Sequence, residues 1–299
     1  DLLGVTSIVR ALGLREECYD RLLDFFHSEA VSPDGLANAW LSLVLRRFPF
    51  LIRFNGRPVF VGDGMKVAKS GRKMPAVKLL HQQSESNTKP EYIMGHSFQA
   101  VGLLFGTVAG VFAMPIVSRI HEGVRMAPKD KRTLLDKMIE MLADLQIDER
   151  TYFVADAYYA SKKIVLPLLT RGWDLVTRVR SNAVAYYPAN STGRTGRRGR
   201  KRKYGEKVRL KEFFKMTDEM TAADSPVYGE EDVTLRFLCV DLLWRPVGRL
   251  VRFVFVVHPT RGKVILMSTD LSLSPLEIIE IYGLRFKIEL SFKQILRII

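Results

Sequence analysis

Two short apolar runs in this chain each end on an aspartate, and that arrangement narrows what the chain can fold into. The runs are Val59-Phe60-Val61-Gly62-Asp63 and Tyr152-Phe153-Val154-Ala155-Asp156. Short β-branched and aromatic runs of this kind predict buried strands. Each aspartate then sits at the end of a buried strand, where its charge is costly unless something compensates it. One role for such an aspartate is to start a turn. Another is to hold a divalent cation, because Mg²⁺ takes a few carboxylates together with water and phosphate oxygens. A late amphipathic segment adds Tyr282, Arg285 and Glu289, whose spacings of three and four put them on one face of a predicted helix. Arg285 there either holds a phosphate or orients Glu289. Three carboxylates on regular elements of a basic chain point to two-metal phosphodiester chemistry on nucleic acid.

The charge supports that direction. The 299 residues carry a formal net charge of +14, which favours a polyanionic partner. Seven positive residues, Arg194, Arg197, Arg198, Arg200, Lys201, Arg202 and Lys203, fall in one stretch interleaved with glycine. The glycines deny it helix or strand, so it is either a backbone-tracking DNA contact or a solvated charged loop. The excess of positive charge persists without it. Only two cysteines occur, Cys18 and Cys239. They give neither a zinc pattern nor a disulfide framework, and a reducing cytoplasm is the default. The uncharged stretch between Glu91 and Arg119 approaches the length of a membrane helix. Its glycines, proline and β-branched residues favour two buried strands instead, and no membrane partner is expected.

Along the chain, residues 1–52 predict helices. Leu22, Leu23, Phe25 and Phe26 form an apolar cluster. Ser32-Pro33 opens a second helix with Leu36, Trp40, Leu43 and Val44 on one face. This segment is either a platform for the core or the tail of an upstream DNA-binding domain. A strand carrying Asp63 follows, then a basic loop with Lys66, Lys69, Arg72, Lys73 and Lys78. Strands are expected near 94–105 and 110–118, and a helix near 131–145 with Leu134, Leu135, Met138, Met141 and Leu142 inward. The strand ending on Asp156, a helix near 161–170 and a strand near 174–180 come next. Alternating runs at 234–244, 250–257 and 263–269 read as further strands. Trp244, within them, is either a core residue or a platform for an extruded base. Ser274-Pro275 starts the last helix. Pattern alone gives an α/β fold.

Three motifs carry a family resemblance. Tyr282-Gly-Leu-Arg285-Phe-Lys-Ile-Glu289 matches the first three letters of the Y-R-E-K signature of insertion-sequence DDE transposases. Phe60-Val-Gly-Asp63-Gly and Val154-Ala-Asp156-Ala-Tyr-Tyr resemble the two aspartate motifs of that family, in the same order. The signature's lysine falls at Leu296, and Lys293 or Arg297 lies on a similar face. The resemblance implies an RNase H-like (retroviral integrase-like) mixed sheet flanked by helices. Its core would occupy 53–180, with a β-rich insertion carrying the basic stretch at 181–272 and the last catalytic helix at 273–299. It further implies that Asp63, Asp156 and Glu289 hold two Mg²⁺ (or Mn²⁺) ions and cut and join DNA. Lys66, Lys69, Arg72, Lys73, Tyr282, Arg285, Lys293 and the 194–203 residues would contact DNA. The partners would be double-stranded transposon ends and target, bound by a homodimer, in the nucleoid of a prokaryotic cytoplasm. Two other readings stay open: an RNase H-like nuclease without strand transfer, and an inactive DNA-binding remnant. The first residue is not Met and the last falls within the helix of Glu289, so a fragment cut at both ends is expected.

Overall fold

Alternation along the central strands decides the architecture. Val59 and Val61 pack on one side of the sheet while Phe60 packs on the other; Tyr152 and Val154 oppose Phe153 and Ala155 in the same way. Successive strand side chains point to opposite faces, so strands that are apolar on both faces must be covered on both. The computed structural model describes residues 5–69, 74–81, 90–108, 110–122, 130–189, 202–227 and 229–298, without the side chains of 293–298.

The chain opens with helices α1 (Val5–Ala11), α2 (Cys18–His27) and α3 (Pro33–Arg47). Strands β1 (Arg53–Phe54), β2 (Arg57–Ala68), β3 (Lys78–His81), β4 (Tyr92–Thr107) and β5 (Gly110–Ile120) follow. Next come helix α4 (Leu134–Asp144), strand β6 (Tyr152–Ala155), helix α5 (Lys162–Thr170) and strand β7 (Asp174–Val179). Strands β8 (Val184–Pro188), β9 (Tyr204–Arg209), β10 (Thr221–Asp224), β11 (Thr234–Trp244), β12 (Arg249–His258) and β13 (Gly262–Ser268) precede helices α6 (Pro275–Leu284) and α7 (Lys287–Ile298).

The described strands form one 13-stranded sheet, with a central path β3-β4-β2-β6-β7-β13-β12-β11-β8-β9. The β2–β6 and β6–β7 pairs are parallel, and the sheet is otherwise antiparallel. The strands of 181–272 extend the same sheet, because β13 pairs with β7 from Ile265↔Val179 to Ser268↔Val176. The result is a mixed α/β fold built on a large, mostly antiparallel sheet with helices on both faces. α3, α4 and α5 cover one face through Leu41, Val44, Met138, Leu142, Ile164 and Leu168. α6 and α7 cover the other through Ile278, Ile281, Ile288 and Phe292. No described helix is long and apolar enough to cross a membrane; the uncharged stretch forms most of β4 and β5.

The N-terminal helices depart from expectation. α2 buries no residue, and Phe25 and Phe26 are exposed against each other with ring centroids 5.5 Å apart. Leu22, Leu23, Phe25 and Phe26 are therefore no core cluster. α3 turns Ala37, Leu41 and Val44 inward and leaves Leu36, Trp40 and Leu43 exposed. Trp40 instead donates its indole N–H to the Pro115 carbonyl, 2.8 Å away, at the rim of β5. Trp244 is buried in the core.

Candidate active site

Asp63 lies within β2, which continues to Ala68 instead of ending at the aspartate, and Asp156 directly follows the neighbouring strand β6. Parallel pairing of β2 with β6 runs Val59↔Tyr152, Phe60↔Phe153, Val61↔Val154. Two residues further on, the same register brings Asp63 level with Asp156, on the face covered by α6 and α7. β6 ends at Ala155, and Asp156 caps the 3₁₀ turn Ala157–Tyr159 by accepting from the Tyr158 N–H at 2.9 Å. Asp63 accepts from the Gly64 N–H at 2.8 Å. Gly62 makes the close strand approach possible: a Cβ there would lie 2.4 Å from the Phe153 ring.

The third carboxylate arrives from the helices, with one correction. Tyr282, Arg285 and Glu289 do not share a single helix. α6 ends at Leu284 and α7 starts at Lys287. At the corner, Arg285 N–H bonds to Tyr282 O and Glu289 N–H to Phe286 O, tighter i→i+3 links. Ser274 and Glu277 form a capping box that fixes the start of α6. Glu289 falls in the first turn of α7, where a helix dipole favours an acid. The corner keeps Arg285 within reach of two carboxylates. Its Nη1 donates to Asp63 Oδ2 at 2.8 Å and its Nη2 to Glu289 Oε1 at 2.8 Å.

This triad is mostly out of water: the side chains of Asp63, Arg285 and Glu289 are 17%, 18% and 35% exposed. Burial pushes the Asp63 carboxyl up to about 6. Arg285 and the Gly64 N–H pull it down, while Asp156 and Glu289 push it further up. Burial works against the charged Arg285 guanidinium, but Asp63, Tyr282 and Glu289 outweigh it and hold Arg285 above its ordinary value. Burial also raises the Tyr282 and Tyr159 hydroxyls.

The donor set suits a hard divalent cation: carboxylate oxygens from adjacent strands, one of them raised in pKa by burial and like charge. Among the described residues, no group of three acidic, His or Cys side chains is gathered closely enough to hold a metal ion. Arg285 bridges Asp63 and Glu289, so convergence of all three carboxylates requires that bridge to open.

The other candidate residues are scattered. Lys66 lies on β2, not in a loop, and donates to His81 O at 2.5 Å. Lys78, on β3, donates to His121 O at 2.7 Å. Lys69 is half-buried just past β2. Arg202 donates to Tyr204 O at 2.8 Å, and Lys203 precedes β9. Arg72, Lys73, Arg194, Arg197, Arg198, Arg200 and Lys201 lie outside the described residues, as does the Lys293 side chain. Sequence reading passed over Arg178. Pairing Val154↔Val176 puts it level with Asp156 on the next parallel strand, exposed on the same face. Only knowledge of the strand order reveals that alignment.

With the geometry in view, the comparisons with known proteins decide the family. The family model described as "Transposase DDE domain" matches residues 127–298, more than half of the chain. The chain belongs to this DDE transposase family. The matched span contains Asp156 and Glu289, and Asp63 precedes it. None of the curated proteins matches the chain. Among solved structures, a similar chain is the NurA nuclease from Sulfolobus solfataricus, 10% identical, with 96% of this chain and 99% of that chain covered at a TM-score of 0.26.

Proposed function

We propose that this DDE transposase-family chain cleaves DNA at insertion-sequence ends and transfers the strands, using Asp63, Asp156 and Glu289. The observation that carries the reading is the parallel β2–β6 register, which, continued two residues past Val61↔Val154, sets Asp63 beside Asp156 just after β6, close enough for Asp156 to act on the Asp63 carboxyl, with Glu289 tied to Asp63 through one guanidinium. In this reading 53–180 and 273–299 form one RNase H-like catalytic unit. Residues 181–272 are inserted into it and 1–52 are a helical platform. Asp63 and Asp156 would hold two Mg²⁺ (or Mn²⁺) ions, with Glu289 completing the set. Bound cations would supply Lewis-acid activation of water or a 3′-hydroxyl and stabilise the leaving oxygen. The chain's own residues do the rest. Arg285 keeps Glu289 aimed at Asp63 and is free to take a phosphate when the bridge opens. Tyr282 shields the corner. Hydrolysis and transesterification then use one site in turn, with no covalent protein–DNA intermediate. The protein works as a homodimer on transposon ends and target DNA, in the nucleoid of a prokaryotic cytoplasm.

Nicking and strand-transfer assays test this reading. Asp63→Asn and Asp156→Asn should abolish Mg²⁺-dependent cleavage of end-bearing duplexes and leave binding intact, because the amide keeps the size and loses the charge a cation needs. Wild-type rates in either variant would remove the carboxylates from the mechanism. Cleavage without joining of linear ends would leave a nuclease.

A further inference from the structure

A cleft of about 550 Å³ opens beside Arg178. Arg178, Arg180, Lys211, Lys215 and Lys263 line it together with Phe214, and no described acidic residue does. All five cations are exposed. Arg178 and Arg180 project from the end of β7, Lys211 and Lys215 from the 3₁₀ turn Leu210–Lys215, and Lys263 from the start of β13. Three chain segments distant in sequence thus place like charges around one concavity, an arrangement costly without an anionic occupant. Glu212 of the same turn pairs with Lys215 and also feels the charge of Lys211. Lys263 lies over the Phe214 ring, Nζ 5.5 Å from its centroid, which holds it in place. Arg178 and Arg180 form no ion pair with a described residue. Arg178 also stands level with Asp63 and Asp156, so the cleft begins where the row of carboxylates ends.

We propose that this cleft binds the sugar–phosphate backbone of DNA and leads the strand away from the carboxylates. The inference rests on the DNA-cleaving reading above. It assigns the strand path to Arg178, Arg180, Lys211, Lys215 and Lys263, with contacts that position without reading sequence.

The test measures binding of the full chain to fluorescent duplexes against salt, in EDTA, so that it does not depend on whether Asp63 and Asp156 hold cations. Each phosphate neutralised contributes about 0.9 to the slope of log affinity against log salt. The triple variant Arg180→Ala, Lys211→Ala, Lys263→Ala should flatten that slope by about 2–3 and weaken specific and random duplexes alike. A control triple of equal charge, Arg10→Ala, Arg15→Ala, Arg21→Ala on the N-terminal helices, should leave it nearly unchanged. The thermal midpoint should hold, since the three cleft side chains are exposed. An unchanged slope in the cleft triple, or an equal fall in both triples, overturns the proposal. Failure of Asp156→Asn to stop cleavage would overturn the catalytic assignment alone, because the binding arms read the cleft independently.

Discussion

Arg285 and Asp63 are joined across 222 positions of sequence by a 2.8 Å ion pair, and the same guanidinium holds Glu289 at 2.8 Å. The pair therefore pins the α6–α7 corner onto the middle of β2, which runs on from Asp63 to Ala68. Replacing Arg285 with Met leaves Asp63, Asp156 and Glu289 near one another without a countercharge. We expect a loss of about 1–3 kcal/mol at pH 8 in metal-free buffer, the penalty of stranding a partly buried charged acceptor. Arg285→Lys should recover only part, because an ammonium cannot fork to both carboxylates. Urea unfolding reads the difference, and a Met variant as stable as wild type would show that the bridge contributes nothing.

Asp63 gives the pH dependence. Its folded value, pushed up to about 6 by burial, lies above the unfolded value of 3.8. Between those values the folded state binds more protons than the unfolded state, so stability falls as pH rises through that window. The contribution is fully present below about pH 4 and lost above about pH 6. A shift of roughly two units corresponds to at most about 3 kcal/mol. Asp63→Asn, which cannot ionise, should accordingly exceed wild type by about 1–3 kcal/mol at pH 8 in EDTA. The gap should close near pH 4. Mg²⁺ should narrow it from the other side by stabilising only the wild type. Thermal melts at both pH values, with and without the ion, check this, and a variant less stable than wild type at pH 8 would contradict it.

How far the sequence speaks for the fold depends on whether a signal is local. The first half of β2 and β4, β5, β6, β7 and β11 to β13 fall where apolar runs and their glycine breaks put them, because a strand buried on both faces needs nothing but its own residues to be visible; the second half of β2, through Lys66 to Ala68, is half-exposed and reads as a loop. The α4 start is equally local, with Thr133 and Asp136 forming a capping box. Partnership is not local. Leu22, Leu23, Phe25 and Phe26 mark an amphipathic helix but not what it packs on, and the structure leaves α2 without a buried residue. The break between α6 and α7 carries no proline; the nearby Gly283 lies inside α6, where a Cβ would meet Val227 at 2.4 Å. Of the candidate site, the residue types and their order were legible. The alignment of Asp63, Asp156 and Arg178 depends on strand order, and the diversion of Lys66 and Lys78 to backbone carbonyls depends on how β2, β3, β4 and β5 pair.

The last expectation links packing to the site. A Cβ on Gly62 would lie 2.4 Å from Cζ and 2.5 Å from Cε2 of Phe153, whose side chain is fully buried. Gly62→Ala therefore forces the ring or β2 to move, an overpacking cost of about 1–3 kcal/mol. Phe153→Leu removes the obstructing ring atoms and opens space of its own. In the double variant the added methyl should fill part of that space, so the two changes should couple favourably by about 1 kcal/mol or more. Asp63 follows Gly62 directly, so a shifted β2 also displaces the carboxylate from its level position beside Asp156. Cleavage should fall in Gly62→Ala and return in part when Phe153→Leu is added, in parallel with stability. Strict additivity of the two changes would show that the strand accommodates the methyl without pressing on Phe153, and that Gly62 is not what sets the approach of the two aspartate strands.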